Sequence, residues 1–192
     1  MMQPFYQPRG EDLQISVLTR EFTFPTHLHA HVELAHAFSG PLAMWIDGQT
    51  WALEPGDTAI DIGTGTGILA IAAALAGAKD VLATDLDPVA VRVAAENVRI
   101  NGFADVIRTR QGDLLQAVDE RANVVIANII ADVIAMLAQP VRAHIEDGGL
   151  FICSGIARER SDFVIEALKA AGYQQPMNIR ENGEWMAIAA RK

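Results

Sequence analysis

Three glycines spaced one residue apart, Gly63, Gly65 and Gly67, follow an acid, Asp61, in the run "AIDIGTGTGILA" (59–70). The run joins an apolar pentapeptide, "TAIDI" (58–62), to a stretch of strong helix formers, "GILAIAAALAGA" (67–78). Glycines at a strand-to-helix turn let the backbone bend tightly and approach a ligand, and the first amides of the helix face that ligand. The spacing is G-x-G-x-G and not the G-x-G-x-x-G of a dinucleotide loop. A carboxylate two residues before the first glycine opposes a pyrophosphate and suits a cationic ligand bearing an amino group.

Further acids recur at the ends of the next two apolar segments. Asp85 closes "DVLATDLD" (80–87), 22 residues after Gly63, where a carboxylate accepts hydrogen bonds from both ribose hydroxyls. Asp113, in "QGDLL", follows the third segment, where a carboxylate accepts from an adenine amino group. Asp87 precedes Pro88; it reads as a helix N-cap and as a second candidate near the ribose. Acids at three adjacent strand ends, with no phosphate-binding Lys or Arg, fit a nucleoside that carries positive charge. S-adenosylmethionine, with its sulfonium and ammonium, is such a ligand. The competing reading is that the glycines form only a tight turn and the acids only cap helices.

The elements around these residues alternate. Strands are expected at 58–62, 80–87, 104–110, 122–129 and 148–156. Helices are expected at 67–78, 88–102, 113–120, about 130–145 with a break or bend at Pro140, and 158–173. Pro88 and Asn101-Gly102 start and stop the second helix. Apolar strands separated by helices imply a parallel sheet covered on both faces. The last two strands, around "QPMNIREN" and "GEWMAIAAR", are joined by "ENGE", a hairpin signal. The sheet is therefore expected to end in an antiparallel strand.

Half of the 192 residues are hydrophobic and a fifth are charged, a composition that forms a globular core. The net charge is −9. Lys and Arg number 2 against 7 Asp and Glu in residues 1–57, and 13 against 17 in 58–192. Neither part suits a nucleic-acid backbone. No apolar run reaches the ~18 residues of a spanning helix, and "MMQPFYQPRGED" lacks the pattern of a secretory leader. A single cysteine, Cys153, fits a reducing compartment. The expected location is cytoplasmic, with no membrane partner. Cys153 sits in an apolar strand and reads as a buried structural thiol.

Residues 58–192 resemble a class I S-adenosylmethionine-dependent methyltransferase. More closely, they are similar to the catalytic domain of ribosomal protein L11 methyltransferases, on "AIDIGTGTGILAIAAALAGAKDVLATDLDPVAV", "NVVIANIIADVI", "GGLFICSGI" and "ENGEWMAIAAR". The resemblance implies an α/β fold with a seven-stranded Rossmann-like methyltransferase sheet. It implies cofactor contacts from Gly63, Gly65 and Asp85, and transfer of a methyl group to an amine of a protein such as ribosomal protein L11, or of a small molecule. Asn128, in "IANII", resembles the first residue of the Asn-Pro-Pro-Tyr loop of amino-group methyltransferases. That residue accepts a hydrogen bond from the target amine and aims its lone pair, which is catalysis by positioning. The alternative is an Asn that ends a buried strand by bonding local backbone.

Residues 1–57 have a different texture, with short strands, turns and no helix signal; "IDGQTW" marks a hairpin. "FPTHLHAHVELAHAFSGPLAMWIDGQTWALEPGD" resembles the first half of a cupin of the AraC-regulator type. His27, His29 and Glu33 match the first cupin motif and Gly40 completes it. The second motif's histidine does not follow, so the ligand set is incomplete and no metal is expected. The L11 methyltransferase substrate-recruiting domain and cofactor-covering Gly-Thr-Gly-x-His segment are not recognisable. Two units are thus expected, a cupin-like β segment at 1–57 and a methyltransferase domain at 58–192. A non-catalytic small-molecule sensor built from the same parts is the alternative function. A half cupin leaves strand edges unpaired. Phe24, Leu34, Phe38, Trp45 and Trp51 could cover them in a homodimer.

Overall fold

The computed structural model describes residues 42–46, 49–53 and 56–192. A short antiparallel hairpin of β1 (Leu42–Ile46) and β2 (Gln49–Leu53) comes first, its last pair being Ile46↔Gln49 across two residues. That matches the hairpin expected at "IDGQTW". His27, His29, Glu33, Gly40, Phe24, Leu34 and Phe38 lie outside the described residues.

The remaining strands form one seven-stranded sheet. They are β3 (Thr58–Ile62), β4 (Asp80–Asp85), β5 (Ile107–Gln111), β6 (Ala122–Asn128), β7 (Ile145–Ala157), β8 (Asn178–Asn182) and β9 (Trp185–Arg191). Their order is β5-β4-β3-β6-β7-β9-β8. The chain moves outward from β3 through β4 to β5, then returns to the other flank of β3 as β6. That reversal leaves a crevice at the carboxyl ends of β3 and β6, where open α/β sheets bind ligands.

The hairpin of β8 and β9 forms as expected, but the antiparallel strand is not the outermost one. β9 pairs antiparallel with both β7 and β8 and so lies one strand in from the edge. Its composition explains the order. Ile188, Ala189 and Ala190 are buried in the sheet interior, whereas β8 (NIREN) carries the polar side chains suited to an edge.

Helices α1 (Ile68–Leu75) and α2 (Pro88–Ile100) belong to one layer of the fold, α3 (Ala131–Leu137) and α4 (Ser161–Ala170) to the other. One core cluster joins Ala59, Val81, Ala83 and Val124 to Ala70, Ile71 and Ala74 of α1 and Val98 of α2. The second joins Ile60, Ile62, Leu82, Val125 and Phe151 to Ile134, Leu137, Val164 and Leu168. Alternate strand residues thus feed opposite clusters, which covers the sheet on both faces.

Three expected helices are reduced to, or interrupted by, 3-10 turns. The segment after β5 is a 3-10 turn, Leu114–Ala117. The 130–145 run divides at Pro140 into α3 and a 3-10 turn, Pro140–His144, because proline cannot donate into the helix ladder. The 158–173 run opens with a 3-10 turn at Arg158–Arg160, and the chain turns away at Gly172, whose φ is +83°.

Candidate functional site

The glycine loop, residues 63–67, crosses the carboxyl end of the sheet at the β3/β6 crevice. The Gly63 and Thr64 amides both donate to the Thr84 carbonyl at 2.9 Å, which ties the loop to the end of β4. Asn97 of α2 donates through Nδ2 to the Thr66 carbonyl at 2.8 Å. The three glycines answer three different demands. At Gly63, φ is +72° and a Cβ would stand 2.7 Å from Ile129 Cγ2, so a side chain would collide with the loop after β6. At Gly67, φ is +82° and a Cβ would lie 3.2 Å from Ala94 Cα and Cβ, where α1 starts against α2. At Gly65, φ is +55° and nothing lies within 4 Å, so this glycine borders open space.

Asp61 is oriented differently from the sequence expectation. It is fully buried beneath the loop rather than turned toward a ligand. Its Oδ2 accepts from Thr64 Oγ at 2.5 Å and from the Ala70 amide at 3.1 Å. Gly67, the N-cap of α1, has no side chain to cap the helix. Asp61 supplies that acceptor from the preceding strand. Burial pushes its carboxyl up to about 6, the two hydrogen bonds hold it down, and Asp85 adds some repulsion. Oδ1 is buried without a hydrogen-bond partner.

Asp85, at the end of β4, is half-buried. Oδ2 accepts from the Gly65 amide at 2.9 Å and Oδ1 from the Asp87 amide at 3.0 Å. A carboxylate has about four acceptor positions, so both oxygens retain capacity for further donors. Asp87 is exposed and caps α2 by accepting from the Val89 amide at 2.8 Å, the helix-capping alternative of the sequence reading. The Gly112 amide donates to the Asp85 carbonyl at 2.9 Å and so holds the turn after β5 beside β4. Asp113 follows; it is exposed and makes no side-chain cap to the 3-10 turn behind it. Leu114, next in the chain, has φ +49°. Such a conformation costs a non-glycine residue about 1–3 kcal/mol and clusters at ligand sites.

Asn128 closes β6 on the other side of the crevice. Its Nδ2 donates to Ser154 Oγ at 2.9 Å, a side-chain partner and not the local backbone. Cys153, two strands from β3, is buried; burial pushes its thiol up to about 12, so it is no nucleophile. Among the described residues no group of three or more His, Cys, Asp or Glu is placed to hold a metal.

The structure therefore brings Gly63, Gly65, Asp85, Asp113 and Asn128 to one rim, with Asp61 and Gly67 as supports beneath it. Three contributors escaped the sequence reading. Thr64 had a signal, a hydroxyl three residues after Asp61. Asn97 and Ser154 had none, since each acts from a different element.

The model for the ribosomal protein L11 methyltransferase (PrmA) family matches residues 43–192. The chain belongs to that family. The match reaches back across the β1–β2 hairpin, beyond the boundary expected at residue 58. A ribosomal protein L11 methyltransferase of Pelotomaculum thermopropionicum is 48% identical over 139 residues, 72% of this chain and 45% of the relative. One from Listeria innocua is 44% identical over 141 residues, covering 73% and 45%. The chain thus spans under half the length of these relatives. The crystal structure of ribosomal protein L11 methylase from Lactobacillus delbrueckii subsp. bulgaricus superposes with a TM-score of 0.69 at 35% identity, covering 73% of each chain. The family's seven-stranded fold is therefore shared, and no helix among the described residues is long and apolar enough to cross a membrane.

Proposed function

We propose that this chain is an S-adenosylmethionine-dependent methyltransferase that acts on an amino group, with ribosomal protein L11 as the protein acceptor its family points to. One observation carries the reading. Gly65 faces open space and Asp85 retains acceptor capacity at the same rim, so the residues present fit a nucleoside held by its ribose. S-adenosylmethionine would supply a methyl group made electrophilic by the sulfonium.

In this reading Asp85 binds the ribose hydroxyls, Asp113 accepts from the adenine amino group, and Gly63 and Gly65 let the backbone approach. Asp61 and Gly67 act by holding the loop, and Asp87 by holding the start of α2. Asn128 Oδ1 accepts from the target amine, which must arrive neutral so that its lone pair is available. No strong base is required at the transfer itself, and the rate gain comes from positioning.

The cupin-like reading of residues 1–57 stays with this proposal as a second unit, unloaded with metal and pairing copies of the chain into a homodimer. A cytoplasmic setting, where L11 and S-adenosylmethionine meet, completes it. Calorimetry with S-adenosylmethionine and S-adenosylhomocysteine, followed by methyl transfer to L11, tests the reading. Binding of NAD in their place would overturn it. Binding without transfer to any acceptor would favour the sensor alternative, and light scattering of a monomer would remove the dimer.

A further inference from the structure

The strongest feature outside the glycine loop is an irregularity in β7. Cys153 pairs with Ile188, and the next pair is Ile156 with Met186. Ser154 and Gly155 of β7 therefore face the single residue Ala187 of β9, which is a β-bulge. Bulges re-aim side chains, often beside active sites. Gly155 sits at φ +76°, and a Cβ there would stand 2.9 Å from Asn128 Oδ1, 3.2 Å from the Ile129 carbonyl oxygen and 3.4 Å from its nitrogen. On the other flank, Asn128 and Ser154 are direct partners in the β6–β7 ladder, and Asn128 Nδ2 donates to Ser154 Oγ at 2.9 Å. Among the described residues nothing donates to Oδ1.

We propose that the Ser154–Gly155 bulge positions Asn128 for the acceptor. Ser154 Oγ takes the amide's donor end, and Gly155 leaves the room in which its acceptor end lies. A primary amide can flip about its last torsion and exchange donor for acceptor. A flipped Asn128 would present Nδ2, which donates to the lone pair of a neutral amine and so ties up the electrons needed for the transfer. In the orientation seen, Nδ2 is engaged by Ser154 Oγ, which leaves Oδ1 as the end available to the amine. Ser154 is thus a positioning residue, acting through Asn128. The inference rests on the role given to Asn128 above.

The test uses the full chain in three forms, wild type, Ser154→Ala and Ser154→Thr. Calorimetry should give the same affinity for S-adenosylhomocysteine in all three, within about twofold. With ribosomal protein L11 as acceptor, Ser154→Ala should lower turnover about tenfold, and Ser154→Thr, which keeps the hydroxyl, should restore most of it. A second readout is independent of turnover. The Asn128 side-chain amide is assigned in a nitrogen-15 spectrum by its loss in Asn128→Asp. Its protons should exchange slowly in the wild type and in Ser154→Thr, and at least fivefold faster in Ser154→Ala. Unchanged exchange in Ser154→Ala overturns the positioning role, as does equal turnover in all three forms. A wild type that binds S-adenosylhomocysteine but methylates nothing defeats the function proposed for Asn128, and the exchange measurement alone then decides whether Ser154 orients it.

Discussion

The two sides of the crevice are built by different means. On the β3–β4 side the loop is held through its own backbone: the Gly63 and Thr64 amides reach the Thr84 carbonyl, the Gly65 amide reaches the Asp85 carboxylate, and Asn97 holds the Thr66 carbonyl. On the β6–β7 side a single side-chain bond, Asn128 to Ser154, does the orienting. A backbone cradle requires particular φ values and the absence of side chains, so it tolerates almost no substitution. The side-chain pair requires a hydroxyl within reach and the room that Gly155 leaves beside Asn128 Oδ1. The difference suits the proposed partners, since every turnover uses the same nucleoside, whereas the acceptor side has only to present one oxygen.

The largest effects should come from the glycines, and they should separate support from contact. Gly67→Val forces a branched side chain to φ +82° with Ala94 at 3.2 Å. The expected loss is about 3 kcal/mol of folding stability or more, from combined strain and overpacking, read as a fall in the urea midpoint. Gly65→Val meets no neighbour, so it should cost only the backbone strain of about 1–2 kcal/mol yet abolish cofactor binding. If Gly65→Val binds S-adenosylmethionine normally, the open space beside it is not the site.

Asn128→Ala comes next. It should lower methyl transfer about 100-fold, which corresponds to ~2.7 kcal/mol of barrier, while cofactor affinity stays within about twofold. Equal losses in rate and affinity would move Asn128 to the cofactor side of the comparison. Asp85→Ala should do the reverse and weaken cofactor binding by about 1–3 kcal/mol, the scale of a lost charge-assisted hydrogen bond. Titration calorimetry reads it directly, and an unaltered dissociation constant would leave Asp85 with only its two amides to hold.

The same contrast sets what could be read from residue order. The glycine spacing and the acids at 85 and 113 belong to short contiguous segments, and strand-end chemistry depends on little beyond the strand itself. The orientation of Asp61 was hidden, because its burial depends on Ala70 on the next helix and on the flanking strands β4 and β6. Its type and position alone suggested a carboxylate facing a ligand. The insertion of β9 between β7 and β8 was hidden too, since a hairpin signal shows that two strands pair and not which of them also joins the sheet. The bulge at Ser154 depends on ladders with β6 and β9, whose facing residues Asn128 and Ala187 lie 26 and 33 residues away in the chain, and no local pattern announces it.

Asp61 gives the smallest effect and the sharpest probe of the support beneath the loop. Its carboxyl rises from 3.8 to about 6 in the folded protein, mainly because burial penalises the charged form. The folded state therefore holds the proton more tightly than the unfolded chain, and stability from this group is present at low pH and lost as pH rises through 6. Between pH 5 and pH 7 the expected loss is about 1 kcal/mol, since each pKa unit is worth ~1.4 kcal/mol and only the upper part of the shift titrates there. Asp61→Asn keeps an acceptor for Thr64 and Ala70 but has no proton to lose. Glu120 does not interfere: burial would raise it, but the Arg108 and Arg110 hydrogen bonds prevail and hold it at about 2, so it is ionised across the whole interval. Urea midpoints of wild type and Asp61→Asn, measured at pH 5 and pH 7, should therefore diverge, with the wild type losing ground to the variant as pH rises. Midpoints that move in parallel would mean that Asp61 keeps one charge state throughout, and the buried, unpartnered Oδ1 would then need a donor other than a proton of its own.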